Sequence, residues 1–325
     1  MHFLVSNLGV CTKYGCVEKY VLVISRSRLV IKCLCFRRLL IISSANIPYF
    51  KKDAIQPLLN NWFGPNQAVL NTDAIVSFKE SFPEFDWSQA SYQLVSFPDR
   101  TAVVLIRGTK TTWDYLTDAK LWYSSLLFQL LRGILPFGTV FNPMLRGLIG
   151  AMAGLEKQGM KNSAYYKETT AFVNYLRAGG NYANVEVTGH SLGGGLALIT
   201  GAQAHVTAVG LSAPNTVLAS GTVDPEITHE ELEKYTFNIA PDMDIFPMIG
   251  DHSRYVENIA CRASSRNFFS CHDAGRSLCE MMYSCGGTVR RPVFCECVTE
   301  YSYPVPEMLA DANGTAVTFA EACGI

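Results

Sequence analysis

The sequence has little charge for its length and no extended run of one sign. Lysine and arginine total 27, aspartate and glutamate total 28, and charged residues make up 17% of the 325 residues. A net charge of −1 gives no overall field that would attract a polyanion, so nucleic acid is excluded as an expected partner. Hydrophobic residues reach 49%, which is enough apolar material for a sizeable core.

Long uninterrupted apolar runs are also missing. In residues 20–47 the apolar runs alternate with five arginines and lysines, so no stretch of about 18 residues is free of charge and a spanning helix is not expected. We treat residues 1–85 as an unassigned N-terminal arm. Its basic, apolar residues 20–47 either lie on a membrane surface or belong to an arm that is poorly packed or partly buried. Residues 121–155 are the most apolar part of the chain, but charged residues and prolines interrupt them as well.

Cysteine is absent between Cys35 and Cys261, and seven of the eleven cysteines follow that gap. No CxxC pair occurs among them, and His272 directly adjoins Cys271, a spacing that argues against a zinc site. Disulfides are the favoured interpretation, and they would indicate a secreted, vacuolar or endomembrane location. Residues 1–10 show neither a basic region nor an apolar core typical of a signal peptide, so the compartment stays open.

From residue 86 onward, short strand patterns alternate with helical ones. Such alternation predicts an α/β domain over residues 86–325, with a central, mostly parallel sheet and helices on both faces. Residues 92–97 and 101–106 predict a hairpin. The other predicted elements are a helix at 162–177, a strand at 185–188, a helix ending at 204, and strands at 206–212 and 235–240.

The segment Gly189-His190-Ser191-Leu192-Gly193 lies between a predicted strand and a predicted helix. This is the context of a nucleophile elbow, in which a serine occupies a strained turn above an α/β-hydrolase sheet. Glycines flank the serine because a side chain there would crowd the neighbouring strand and helix. The alternative is a glycine-rich turn without chemistry. Ser191 is therefore the candidate nucleophile.

A serine hydroxyl becomes a nucleophile only when a base removes its proton and a carboxylate orients that base. In this fold the acid follows the serine and the histidine follows the acid. Asp244 is the preferred acid because it follows a predicted strand and leads to Pro247, and Asp242 is its close rival. The remaining acid candidates are Asp224 and Asp251.

Two histidines, His252 and His272, follow the preferred acid in the sequence. His272 is the favoured base because a long loop precedes it and neighbouring cysteines could fix that loop, whereas His252 has a short path to the serine. His190, beside the nucleophile, is interpreted as a packed structural residue.

Oxyanion stabilisation requires backbone N–H groups aimed at the developing charge. Leu192, which follows the nucleophile, is expected to supply one N–H, and the loop at Gly108 and Thr109 the second. The hydroxyl of Thr109 is a further candidate donor. The alternative for Gly108 and Thr109 is an ordinary turn at a strand end.

Together these segments resemble the class 3 lipases, also called the fungal-type triacylglycerol lipases, over about residues 90–275. The resemblance implies that Thr109 is a side-chain oxyanion donor, Asp244 the acid and His272 the base. The matching segments are 103–109 with Trp113 and Asp118 downstream, 187–194, and 244–247.

A class 3 lipase would hydrolyse ester bonds of acylglycerols or related lipids, at a membrane or lipid-droplet surface, with no cofactor or metal and no obligate protein partner. In the family the lid follows the oxyanion strand, which places it at residues 110–115. Residues 121–155 could form a lid, an interfacial helix pair or core. The alternatives are a soluble carboxylesterase of the feruloyl-esterase kind and a non-catalytic lipase-like binding module.

Overall fold

The computed structural model describes most of the region predicted to form the α/β domain and part of the N-terminal arm. Residues 108–164, which contain the predicted oxyanion loop and both candidate lid segments, lie outside the described residues, as does His252. The described residues are 11–12, 15–16, 23–25, 28–30, 52–84, 92–107, 165–217, 219–221, 223–248, 253, 255–262, 268–285, 295–305, 309–310 and 316–323.

A seven-stranded sheet organises the domain. Its strands are β5 (Val69–Leu70), β6 (Tyr92–Ser96), β7 (Thr101–Ile106), β8 (Asn184–His190), β9 (Ala208–Leu211), β10 (Thr236–Pro241) and β11 (Val256–Ile259). They lie side by side in the order β11-β10-β9-β8-β7-β6-β5. Neighbours from β7 to β11 are parallel, whereas β5 and β6 join in antiparallel fashion. The predicted mostly parallel sheet of an α/β-hydrolase fold is confirmed.

Short two-stranded pairings lie outside this sheet, at both ends of the described chain. All three pairings are antiparallel. Their strands are β1 (Cys11–Thr12) with β2 (Gly15–Cys16), β3 (Val23–Ser25) with β4 (Arg28–Val30), and β12 (Leu309–Ala310) with β13 (Ala316–Val317).

Nine helices are described between the strands and after the sheet. They are α1 (Lys52–Phe63), α2 (Asp73–Ser81), α3 (Tyr165–Ala178), α4 (Leu192–Ala204), α5 (His229–Tyr235), α6 (Phe268–Cys271), α7 (Ala274–Cys285), α8 (Cys295–Thr299) and α9 (Phe319–Cys323).

Both faces of the sheet are covered by helices. Strand β7 shows this directly, because its residues alternate between two cores. Ala102, Val104 and Ile106 pack with α2, α3 and α4, while Val103 and Leu105 pack with α1 and α7 on the opposite face. Successive side chains of a strand point to opposite faces, and both faces of β7 are buried. The sequence of β7 is therefore a continuous apolar run.

Residues 52–84 contribute to this sheet domain although they precede the predicted boundary at residue 86. Leu70 of β5 is the register partner of Val95 in β6. Ile55 and Leu59 of α1 are fully buried in the core of one face. The sheet domain therefore starts at or before residue 52.

Most elements follow the sequence prediction closely. The predicted hairpin forms as β6 and β7, the predicted helix at 162–177 forms as α3, and the strand and helix around the nucleophile motif form as β8 and α4. The two later strand predictions correspond to β9 and β10. Among the described residues, no helix combines the length and apolarity that crossing a membrane requires.

Disulfide bonds cross-link the region that follows the sheet, as the clustering of cysteines predicts. Within the described residues three bonds join Cys261 to Cys271, Cys279 to Cys297, and Cys295 to Cys323. The first closes the loop between β11 and α6, and the second joins α7 to α8. The C-terminal segment is thus tied covalently to the helix that packs on the sheet.

Helix α4 packs closely against strand β9 at Gly201, and a substitution there tests this contact. A Cβ at this position would lie 2.2 Å from Cβ of Ala208. Although alanine normally stabilises a helix interior relative to glycine by about 1 kcal/mol, we expect Gly201→Ala to lower the free energy of unfolding by roughly 1–3 kcal/mol through overpacking. Urea denaturation measures this change. Gly221→Ala is the control, since no atom lies within 4 Å of its Cβ position, and a loss as large there would contradict the explanation.

Candidate active site

Ser191 occupies the sharp turn between β8 and α4. Its backbone has φ +60° and ψ −130°, a left-handed conformation that a residue with a side chain adopts only when the surrounding structure enforces it. The Ser191 N–H donates to the carbonyl of Leu211 in β9 (2.9 Å), and the Ser191 carbonyl accepts from Gly195 in α4 (3.1 Å). Strand and helix therefore hold the turn from both sides.

Two glycines make this turn possible. A Cβ at Gly189 would lie 2.4 Å from the backbone of Gly193, and a Cβ at Gly194 would lie 2.8 Å from Cβ of Ala213 and 2.9 Å from the carbonyl oxygen of Gly189. No side chain fits at such distances. The crowding predicted for the flanking glycines is present at Gly189, and Gly194 is crowded as well.

His272 connects the serine to a carboxylate. Its Nε2 lies 2.8 Å from Oγ of Ser191, and its Nδ1 lies 2.9 Å and 3.1 Å from the two carboxylate oxygens of Asp244. Because an ionised carboxylate only accepts, Nδ1–H donates to Asp244, and Nε2 is left to accept from the serine hydroxyl. The three residues thus form one continuous hydrogen-bonded chain, in the order that transfers a proton from Ser191 to His272.

Asp244 is held in the loop that follows β10. Its carboxylate is buried, with 1% of the residue exposed, and it accepts a hydrogen bond from the N–H of Phe246 (3.0 Å). The Asp244 N–H donates to the carbonyl of Pro241 (3.2 Å). Asp242, the rival acid, is exposed. The structure therefore brings Asp244, and not Asp242, to the histidine.

Two buried asparagines hold the acid loop against the end of β9. The Asn215 amide donates to the carbonyl of Pro247, and the Asn238 amide donates to Oδ1 of Asn215 (3.2 Å) and to the carbonyl of Ala213 (2.8 Å). Sequence reasoning missed both residues. Asn238 gave one available signal, because it is a polar residue within the apolar strand pattern that became β10.

The loop that carries His272 is fixed on both sides. The disulfide between Cys261 and Cys271 ends at the residue before it, and Asp273 after it caps helix α7, because its carboxylate accepts from the N–H of Arg276 (2.8 Å). The Phe246 ring packs on the imidazole, with 3.9 Å between ring centroids. The sequence predicts that cysteines near His272 fix its loop, and Cys271 does so through its disulfide to Cys261.

His190 faces the backbone of the candidate base. Its Nε2 lies 2.8 Å from the His272 carbonyl oxygen, and the two rings are 4.8 Å apart. Burial, followed by the nearby charge of His272, lowers the pKa of His190 to about 3. His190 is therefore neutral at physiological pH and donates Nε2–H to the carbonyl. This geometry supports the packed role expected for it.

The candidate oxyanion donors are only partly described. Leu192 is the first residue of α4, and the first N–H groups of a helix have no acceptor within the helix. Ile106 at the end of β7 is the register partner of Gly189, so the chain leaves β7 beside the elbow. Gly108 and Thr109 themselves lie outside the described residues.

The candidate acid Asp224 lies away from this hydrogen-bonded chain and pairs with Lys167 (3.1 Å). The surface histidine His205 pairs with Glu231 (2.8 Å). In the part of the chain that the structure describes, no group of three histidine, cysteine or acidic side chains is arranged to bind a metal ion.

Comparison with known proteins gives a family match. Residues 103–249 match the sequence model of the lipase (class 3) family, which confirms the resemblance predicted from the sequence and supports a hydrolase that acts on esters. No curated protein matches the chain.

Two similar solved structures are Rhizomucor miehei lipase propeptide complexes. The native complex has 13% identity and a TM-score of 0.30, and the match covers 61% of this chain and 65% of the other, so the chain spans slightly less than two thirds of that length. A deletion mutant of the complex has 12% identity and a TM-score of 0.38, with 84% and 85% covered.

The neutral state of His190 predicts a dependence of stability on pH. Because its pKa is lower in the folded protein than the 6.5 of a free histidine, the unfolded state binds an extra proton between about pH 6.5 and 3, and the associated stability is lost as pH falls through this window. Between pH 6.5 and 5 the loss amounts to roughly 2 kcal/mol. We expect the wild-type thermal midpoint to fall more from pH 7 to 5 than that of His190→Gln.

The matched control is His229→Gln, because His229 is exposed on α5 and this variant keeps His190. It should show the full wild-type fall in the thermal midpoint. Equal falls for the wild type and His190→Gln would contradict a neutral imidazole at His190.

Proposed function

We propose that this chain, whose residues 103–249 match the class 3 lipase family, hydrolyses carboxylic ester bonds of lipids through an acyl-enzyme on Ser191. The observation that carries the proposal is the continuous hydrogen-bonded chain from Ser191 through His272 to Asp244. Nucleophile, base and orienting acid in this arrangement constitute the machinery for acyl transfer.

In the first half of the reaction, Oγ of Ser191 attacks the ester carbonyl carbon while Nε2 of His272 takes the hydroxyl proton. The carbonyl oxygen becomes an oxyanion. When this tetrahedral intermediate collapses, the bond to the alkoxy oxygen breaks and His272 gives its proton to that oxygen. The alcohol leaves, and the acyl group stays esterified to Ser191.

In the second half, water takes the place of the alcohol. His272 removes a proton from the water as its oxygen bonds to the acyl carbon, and the proton then returns to Oγ of Ser191 when the acyl–serine bond breaks. The products are a carboxylic acid and free enzyme. Asp244 keeps its charge throughout and stabilises the imidazolium that forms twice in each cycle.

The oxyanion is proposed to accept hydrogen bonds from Leu192 and Thr109. The N–H of Leu192 opens helix α4, where the free N–H groups and the helix dipole favour negative charge. Support for Thr109 comes from the family resemblance and from the register between Ile106 and Gly189, which places the end of β7 beside the elbow.

A lipid substrate is favoured over a small soluble ester. Ser191 has no exposed surface and His272 is 8% exposed, and we propose that the site opens to admit the ester. Opening at a lipid surface would couple this change to the presence of substrate. The apolar residues 121–155 are the proposed contact with a membrane or lipid-droplet surface.

Activity assays of purified variants test this proposal. On a short-chain soluble ester and on an emulsified long-chain triacylglycerol, we expect Ser191→Ala and His272→Ala each to lower kcat by about 10⁶-fold, because the triad acts as a unit. His252→Ala should leave kcat nearly unchanged. The wild-type rate should rise sharply above the solubility limit of the substrate.

The surface histidine variant His205→Ala serves as a matched control, since His205 lies outside the hydrogen-bonded chain and contacts Glu231 and the Tyr235 ring. Loss of activity in His252→Ala with retention in His272→Ala would assign the base to His252. A folded wild type that cleaves neither ester would overturn the proposal in favour of a non-catalytic binding module, and equal rates below and above the solubility limit would favour a soluble esterase.

A further inference from the structure

The C-terminal segment at residues 295–305 packs against helix α7, which begins two residues after the candidate base. The disulfide between Cys279 and Cys297 joins the two covalently. Tyr303 is buried beside this disulfide, and its hydroxyl donates to the buried carboxylate of Glu280 in α7 (2.7 Å). The segment follows the 103–249 region that matches the lipase family.

A second tyrosine of this segment reaches the loop of the candidate base. The Tyr301 hydroxyl donates to Oδ1 of Asp273 (2.7 Å), the same oxygen that accepts the N–H of Arg276 at the start of α7. Asp273 directly follows His272. One carboxylate oxygen therefore links the C-terminal segment, the first turn of α7 and the backbone of the base.

A glycine in helix α7 leaves room for the Tyr301 side chain. A Cβ at Gly275 would lie 2.5 Å from the Tyr301 hydroxyl, so glycine at that position leaves the space that the hydroxyl occupies. The Arg276 guanidinium lies over the Tyr301 ring, 4.9 Å from its centroid. Burial and the adjacent Asp273 raise the pKa of Tyr301, so its hydroxyl remains a donor at physiological pH.

We propose that Tyr301 is a positioning residue for His272, acting through Asp273. This inference rests on the proposed ester hydrolysis. The base is flanked by two fixed neighbours: Cys271 is held by its disulfide to Cys261, and Asp273 is held by Tyr301. Because a displacement of about 1 Å in a catalytic group can cost roughly 10²-fold in rate, loss of the second anchor affects turnover and leaves substrate binding intact.

Tyr301→Phe tests the hydroxyl while preserving the ring. We expect kcat on the soluble ester to fall roughly 10-fold or more, with KM within about twofold of wild type. The thermal midpoint and the circular dichroism spectrum establish that the variant is folded.

Tyr303→Phe is the matched control, because it removes a hydrogen bond of the same length from the same segment, and the acceptor of that bond, Glu280 in α7, is not a neighbour of His272. Both variants should lower the thermal midpoint to a similar extent. Only Tyr301→Phe should lower kcat. Equal kcat losses in the two variants would reduce Tyr301 to a general structural contact and overturn the inference.

Gly275→Ala approaches the same contact from the helix. Alanine raises helix propensity, yet its Cβ would displace the Tyr301 hydroxyl, so kcat should fall without a matching loss of thermal stability. Combined with Tyr301→Phe, the two effects on kcat should be clearly less than additive, since both remove one contact.

The control variants distinguish failure of the positioning role of Tyr301 from failure of the proposed ester hydrolysis. If wild type cleaves the ester, Ser191→Ala does not, and Tyr301→Phe keeps full kcat, the positioning role is wrong while the proposed function stands. If wild type cleaves no ester, both fail together.

Discussion

The hydrogen bond between His272 and Asp244 is the constraint on which the candidate site depends. It joins two loops on either side of β11, and both partners are buried. A buried carboxylate is costly unless its oxygens are satisfied, and here Asp244 binds both the imidazole and the N–H of Phe246. With its Nδ1–H committed to the acid, His272 can present only Nε2 to Ser191.

This bond forms only if the acid loop and the histidine loop are both held in place. Different interactions hold each of them. Asn215 and Asn238 bind the acid loop to the end of β9 by amide hydrogen bonds. The histidine loop instead relies on a disulfide before the base and on a helix cap after it. The sheet brings these parts together, because the carboxyl ends of parallel strands meet at one edge.

The sequence predicted the parts of the site that are encoded locally. Ser191 lies in a motif whose glycines, preceding strand and following helix are contiguous in the sequence. The sequence alone therefore predicts Ser191 as the candidate nucleophile. Asp244 and Asp242 are only two residues apart. The preceding strand pattern favours Asp244, and the family resemblance settles the choice. The pairing of seven clustered cysteines depends on the folded chain, since many connectivities share one spacing. Strand β5 has two residues, too few for a periodicity to be seen, which is why the sequence pattern predicts the domain boundary after it.

An irreversible organophosphate ester tests the central claim most directly, because it phosphorylates a serine only when a base activates the hydroxyl. The measurement is peptide mapping by mass spectrometry after incubation of the wild type and of Asp244→Asn, which retains the shape of the acid without its charge. The account predicts one phosphoryl group per wild-type molecule, located on Ser191, and labelling of Asp244→Asn slowed by about 10⁴-fold, as in other serine triads. Labelling at a different residue, or an equal rate in both proteins, would contradict it.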